Sequence, residues 1–208
     1  MSVLLDRISQ LFEQNRRAYL TLNALYFGLM IIMMIYLNFD VVMRDGFVEK
    51  YSDSFFRHSP ITLAGQPFAL DKTLQMLMNN FIFNLMGSSY GEITLPSLFI
   101  PFIGIPIGLY RAIFIGLAFA PSNPLATPIF LPHLPTLVLE GQAAVFAMLG
   151  AYIHGRAVIW PESIGQTSRW RAFVEGVRQS GMVYLPIALV LLASAIYGLL
   201  EVVILSTR

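Results

Sequence analysis

Five side chains able to hydrogen-bond or carry charge stand in stretches that are otherwise almost wholly apolar. Asn80 and Asn84 lie in TLQMLMNNFIFNLMGSSY (73–90), Arg111 in IPIGLYRAIFIGLAF (105–119), and His133 and Glu140 in PIFLPHLPTLVLEGQAA (128–144). Asn80 and Asn84 are one helical turn apart and therefore share a face. Two amides, a guanidinium, an imidazole and a carboxylate can do two kinds of work. They can satisfy one another and fix the register of packed helices, or they can line a substrate path or a conformational switch. What they cost depends on the medium around them, so the composition decides how much they mean.

Of the 208 residues, 56% are hydrophobic and only 12% charged, against about 25% charged in soluble domains. Mean hydropathy is +0.67. So few charges do not cover a water-exposed surface of this size, and the bilayer is the expected solvent. In hydrocarbon, amides need partners, and a cation near the bilayer centre costs about 2.5–3.5 kcal/mol on insertion scales. Arg111 is therefore expected to snorkel or to pair with an acid, with Glu92 and Glu140 the nearest carboxylates in the sequence. A helix opening after Pro135 would place Glu140 near its positive N-terminal end.

The elements that must hold these groups are helices. Residues 3–17 set Leu4, Ile8, Leu11 and Phe12 at helical spacing among charges, which predicts an amphipathic helix at the membrane interface over 1–17. Charge follows the short apolar run there and no small-residue cleavage site appears, so the first span is expected to be retained. The remainder, 18–208, reads as one transmembrane domain. Residues 18–39 carry no charge and are long enough to span. Residues 40–72 are the one large polar excursion and read as an extramembrane loop. Spans then follow over 73–90, 93–119, 136–155 and 182–205. Pro96, Pro101 and Pro106 break the third, leaving open whether 93–106 crosses or turns back. Residues 120–135 contain five prolines and read as a loop at the membrane face. Trp160 and Trp170 suit an interface, and Trp170, Phe173, Val174 and Val177 suggest a second in-plane helix. Gly104 and Gly108, like Gly87 and Gly91, have the spacing at which another helix can approach closely. The fold class is thus all-α: a polytopic bundle of about five transmembrane helices with interfacial amphipathic helices.

Five spans place the termini on opposite sides. With the N-terminus cytoplasmic, seven arginines lie inside and five basic residues outside, which favours that orientation and the cell membrane as location. A net charge of +1 offers no basic face for nucleic acid. The chain has no cysteine, hence no disulfide or thiolate metal site. HExxH, GxSxG and glycine-rich phosphate-loop motifs are absent, and His58, His133 and His154 are scattered. No enzyme activity and no cofactor are expected. The expected partners are the lipid bilayer and other integral membrane proteins or further copies of the chain.

An ordered set of features runs from 72 to 156. Asn79–Asn80 stand near the start of a span, Gly87 to Gly91 form a small-residue turn, and a glycine-punctuated span follows. Leu131-Pro132-His133 then precedes Glu140 with Ala143 and Ala144, and Gly150 and Gly155 close the series. This order resembles the stage II sporulation protein M family of multi-span membrane proteins. Six residues, LPTLVL, separate His133 from Glu140, and Tyr110–Arg111 occupies the place of an Asn-Gly in the third span. The resemblance implies a non-enzymatic membrane component, similar to a scaffold that gathers peptidoglycan-remodelling enzymes during engulfment. The leading expectation is a membrane scaffold or accessory subunit. A transporter, permease or channel subunit using the intramembrane polar set is the alternative.

Overall fold

The computed structural model describes residues 2–56, 69–124, 126–127 and 129–206. Those residues are helices joined by short turns, with no strand among them. In chain order they are α1 (Ser2–Gln14), α2 (Arg16–Phe39), α3 (Val41–Phe56), α4 (Leu70–Ile82), a π-helical segment (Phe83–Thr94), α5 (Leu95–Phe99), α6 (Gly104–Ala118), α7 (Phe130–Ile159), a 3-10 turn (Pro161–Ile164), α8 (Arg169–Met182) and α9 (Tyr184–Ser206). Three stretches are long and apolar enough to cross a membrane: Arg16–Phe39, Phe130–Ile159 and, within Arg169–Ile204, the apolar run of α9. The molecule is a helical membrane protein on that evidence.

Paired residues give the direction of each rod. Gly116 of α6 lies against Met30 and Met33 of α2, and Ser122 beyond it donates to the Leu37 carbonyl at 3.4 Å, so α2 and α6 run parallel. Gly141 of α7 meets Tyr26 and Phe27, whereas the later Phe146 packs on Phe12 and Tyr19, so α7 opposes α2. Leu77 of α4 fills the space above Gly198 of α9, and Tyr184 at the start of α9 donates to Thr94 at 2.7 Å, so these two oppose. Gly104 backs onto Ile93 and Ser97, reversing the chain between α5 and α6. The rods α2, α4 to α5, α6, α7 and α8–α9 therefore alternate in direction. The central one is α7: 72% of its most apolar window is buried, against 28% for α2.

Several sequence expectations change. The polar stretch 40–72 opens not as a loop but as α3. Asp40 caps it, accepting from the Met43 N–H at 2.9 Å and from the Tyr36 hydroxyl at 3.0 Å. The Met43 bond, and then the Tyr36 bond, hold the Asp40 carboxyl below the usual carboxylate range. The rest of that stretch, 57–68, lies outside the described residues. The proline-rich loop shortens to about 119–129, because α7 begins at Phe130 and not near 136. Pro132 sits in its first turn, where a missing N–H removes no bond. Only Pro135 is interior, and its missing N–H leaves the Leu131 carbonyl without an intrahelical donor. Glu140 is consequently well inside α7 and far from its N-terminal end.

The turn at 100–103 resolves the proline-broken region as a reversal. Ser97 donates to the Ile93 carbonyl and accepts from the Gly104 N–H, both at 2.8 Å. Phe102 holds φ at 68°, a left-handed conformation that a bulky side chain rarely adopts. Its ring packs on Tyr152 and Trp160 and over Gly155, which offsets the backbone cost. The expected second in-plane helix, α8, instead continues α9 along α7. Gly176 lies against Ala157 and His154, and Ser180 and Val183 against Gly150.

Close backbone approach sets the spacing of these rods. A Cβ on Gly104 would stand 2.4 Å from the Ile93 carbonyl oxygen and from Ser97 Oγ, and one on Gly108 would stand 2.4 Å from Met148 Sδ. Both glycines thus have another element at close range. Gly87 and Gly91 do not: their nearest neighbours belong to their own helix, Phe83 and Met86. A Cβ on Gly116 would stand 2.4 Å from the Met30 carbonyl oxygen, a rigid backbone atom, whereas one on Gly28 would meet nothing within 4 Å. Gly116→Ala is expected to lower stability by about 1–3 kcal/mol through overpacking. Gly28→Ala is expected to raise it by about 0.5–1 kcal/mol. Thermal unfolding of both variants in detergent checks the contrast; equal effects would contradict the α2–α6 contact.

Candidate functional site: a polar knot at mid-depth

Four of the five sequence-predicted residues meet. Glu140 Oε1 accepts from Asn80 Nδ2 at 2.9 Å and from Asn84 Nδ2 at 3.0 Å. Asn84 also donates to Asn80 Oδ1 at 3.1 Å, and its own Oδ1 accepts from Arg111 Nη2 at 2.9 Å. Arg111 Nη1 donates to Ser88 Oγ and to Glu92 Oε2, the latter at 3.3 Å. Three rods are tied in this way: α4 with its π segment, α6, and α7. The spacing does the work. Asn80, Asn84, Ser88 and Glu92 recur every four residues, so one face of that rod carries the whole polar ladder.

The knot lies near the middle of the long helices. Glu140 belongs to the interior of α7, and Tyr26, near the middle of α2, sets its hydroxyl beside Arg111 and Glu140. The Tyr26 side chain is fully buried, and its hydroxyl falls short of a well-formed hydrogen bond to either neighbour. From Arg111 the ladder leaves the middle and ends at Glu92, whose side chain is 52% exposed. Arg111 thus both pairs and reaches outward, the two outcomes open to a cation in lipid.

His133 does not join this knot. It lies about two turns nearer the N-terminus of α7, where its Nδ1 is 2.7 Å from Glu201 Oε1 of α9. Thr136 donates to Glu201 Oε2 at 3.1 Å, and the imidazole stacks on Phe119 with ring centres 4.7 Å apart. Glu201 is 0% exposed. Tyr197, one turn before it, donates to the Pro132 carbonyl at 2.8 Å, at the α7 turn that Pro135 disturbs. Proximity in the chain suggests that His133 belongs with Glu140. Seven residues along one helix separate them by about 10 Å, and each takes its partner from a different rod. The missing signal was Glu201 itself, the lone charge in the apolar run of α9.

His154 is another buried polar side chain, packed edge-on to Phe173 at 5.1 Å. The Leu98 backbone lies beside the ring but short of a well-formed hydrogen bond. Among the described residues no three His, Asp or Glu side chains gather as metal ligands would.

No protein-family model matches the sequence, and no curated protein and no solved structure matches it significantly.

Glu201 is the sole described partner of both His133 Nδ1 and Thr136 Oγ1. Glu201→Leu is expected to lower stability by about 3–5 kcal/mol, because it leaves a buried partner unpaired. Adding His133→Leu should restore most of that loss. Thermal unfolding of the single and double variants in detergent measures both, and simple additivity of the two losses would contradict the pairing.

Proposed function

We propose that the chain is a five-pass cell-membrane protein that acts as a scaffold or accessory subunit of a membrane complex, in the manner of the stage II sporulation protein M family. The observation that carries this reading is the closure of the mid-depth knot. Glu140 Oε1, both asparagines and Arg111 bond one another, and Arg111 also holds Ser88 and Glu92, which ties three rods into a rigid core beneath a broad lipid-facing surface. Such a body is suited to hold other proteins in a fixed arrangement. The alternation of rod direction supports five passes. The short rod α6, about 22 Å at 1.5 Å per residue, needs its flanking turns to complete a crossing. Five passes put the two termini on opposite sides, and the arginine distribution favours a cytoplasmic N-terminus.

One observation favours a transporter or channel subunit as a second reading. The fully buried Tyr26 hydroxyl falls short of a well-formed hydrogen bond beside Arg111 and Glu140, and such a hydroxyl is a place where a polar solute or a water gains a bond.

Purification from native membranes in mild detergent separates the two readings. A scaffold is expected to bring down a stoichiometric membrane partner, and proteoliposomes of the chain are expected to show no flux that responds to Glu140→Gln or Arg111→Ala. An isolated chain with no partner, together with flux abolished by those substitutions, would overturn the scaffold reading.

A further inference from the structure

The segment that sends Asn80 and Asn84 inward also turns two amides outward. Gln75 and Asn79 of α4 are one helical turn apart and both are exposed. Neither side chain has a hydrogen-bond partner among the described residues, although several nearby polar side chains have found one. Thr73 donates back to the Ala69 carbonyl at 2.8 Å, and Asn80 is bound to Glu140. Asn23 and Asn38 on α2 likewise donate to carbonyls of their own helix, at 2.9 and 2.7 Å.

The depth of Asn79 makes this unusual. Leu77 abuts Gly198 of α9, and Asn80 bonds Glu140 inside α7. Asn79 lies between them and hence at the level of the interior of both long spans. An amide facing hydrocarbon at that depth lacks the water that would satisfy it on a soluble surface. Its surroundings also form a stripe. Gln75, Asn79 and Ile82 follow each other at four- and three-residue steps along α4. Ile82 is 50% exposed. That is the spacing of a helix–helix seam, in which a polar residue sets register.

We propose that this face of α4 is the contact between two copies of the chain, with Asn79 of one copy bonded to Asn79 of the other. A carboxamide carries both donors and an acceptor, so it complements itself. Across a two-fold axis along the membrane normal, each residue of the stripe meets its own counterpart, as an isologous interface requires. Two copies in the same orientation satisfy the amides without any other molecule. The inference rests on α4 being one of the five passes, and the test separates the two ideas.

The absence of cysteine from the chain makes single-cysteine variants directly readable. Asn79→Cys is compared with Leu25→Cys, which sits next to Tyr26 on the outer side of α2, 48% exposed and at similar depth. In native membranes treated with copper–phenanthroline, Asn79→Cys is expected to form a covalent dimer and Leu25→Cys to stay monomeric. The Asn79→Leu chain is expected to lose the dimer peak on sizing in mild detergent, with Asn79→Gln retaining it. Equal cross-linking of Asn79→Cys and Leu25→Cys would mean random collision and would overturn the dimer. So would the absence of cross-linking at an Asn79→Cys thiol shielded from a water-soluble maleimide, and then the membrane pass stands without the dimer. Ready maleimide labelling of Asn79→Cys would overturn the α4 pass itself and the dimer with it.

Discussion

A buried polar group in lipid has no water to fall back on, so a protein partner is worth much to it, and the partners that are found fix how the helices pack. The knot of Asn80, Asn84, Arg111 and Glu140 is where this constraint acts most strongly. Glu140 accepts two amides through one oxygen, and Arg111 is held by Asn84, Ser88 and Glu92. Rotating any one rod about its axis would strand a charge at depth. Apolar contacts tolerate slippage by a residue more readily than this set does. The second set, His133 with Glu201 and Thr136, applies the same lock between α7 and α9 farther along the bundle. With α7 common to both, the central helix is fixed at two heights to different neighbours.

Small residues complete what the polar bonds begin. Lipid tails are as apolar as the helix faces, so burial alone drives association weakly, and van der Waals contact at short range carries more of it. Gly104, Gly108, Gly116, Gly141, Gly176 and Gly198 each stand where a Cβ would fall within 3.0 Å of another element. Ala143, Ala144, Ala147 and Ala151 keep the surface of α7 low along its buried length. Where the backbones are this close, polar side chains of ordinary length can bridge the rods. The two features therefore depend on each other: glycine allows the approach, and the amides and charges select its register.

Much of this was legible in the sequence, and the failures have physical reasons. The medium, the all-helical class and the approximate extents of α2 and α9 follow from long apolar runs. Asn80 and Asn84 declared a shared inward face by their spacing, and Arg111 could be expected to seek an acid. His133 was misplaced because partner choice in a bundle depends on which rods are adjacent, which one sequence does not reveal. The start of α7 at Phe130 is hidden by its prolines, because a proline run reads as a loop although Pro132 costs no bond in a first turn. Gly87 and Gly91 were read as packing positions from spacing alone, yet they lie in a π-helical stretch whose geometry turns them away from neighbouring rods. The polar stretch 40–72 reads as a loop, yet Asp40 is well suited to start α3 over Val41–Phe56.

The central claim is that the mid-depth knot couples α4 and its π segment to α7 through direct hydrogen bonds. A double-mutant cycle on Asn84→Leu and Glu140→Leu, with unfolding followed in bicelles or mild detergent, addresses it most directly. The account predicts that the two losses are not additive, with a coupling energy of about 0.6–2 kcal/mol, the range for interhelical polar contacts in membranes. Losses that simply add would mean that the two residues do not share a bond, and the account of the bundle's register would be wrong.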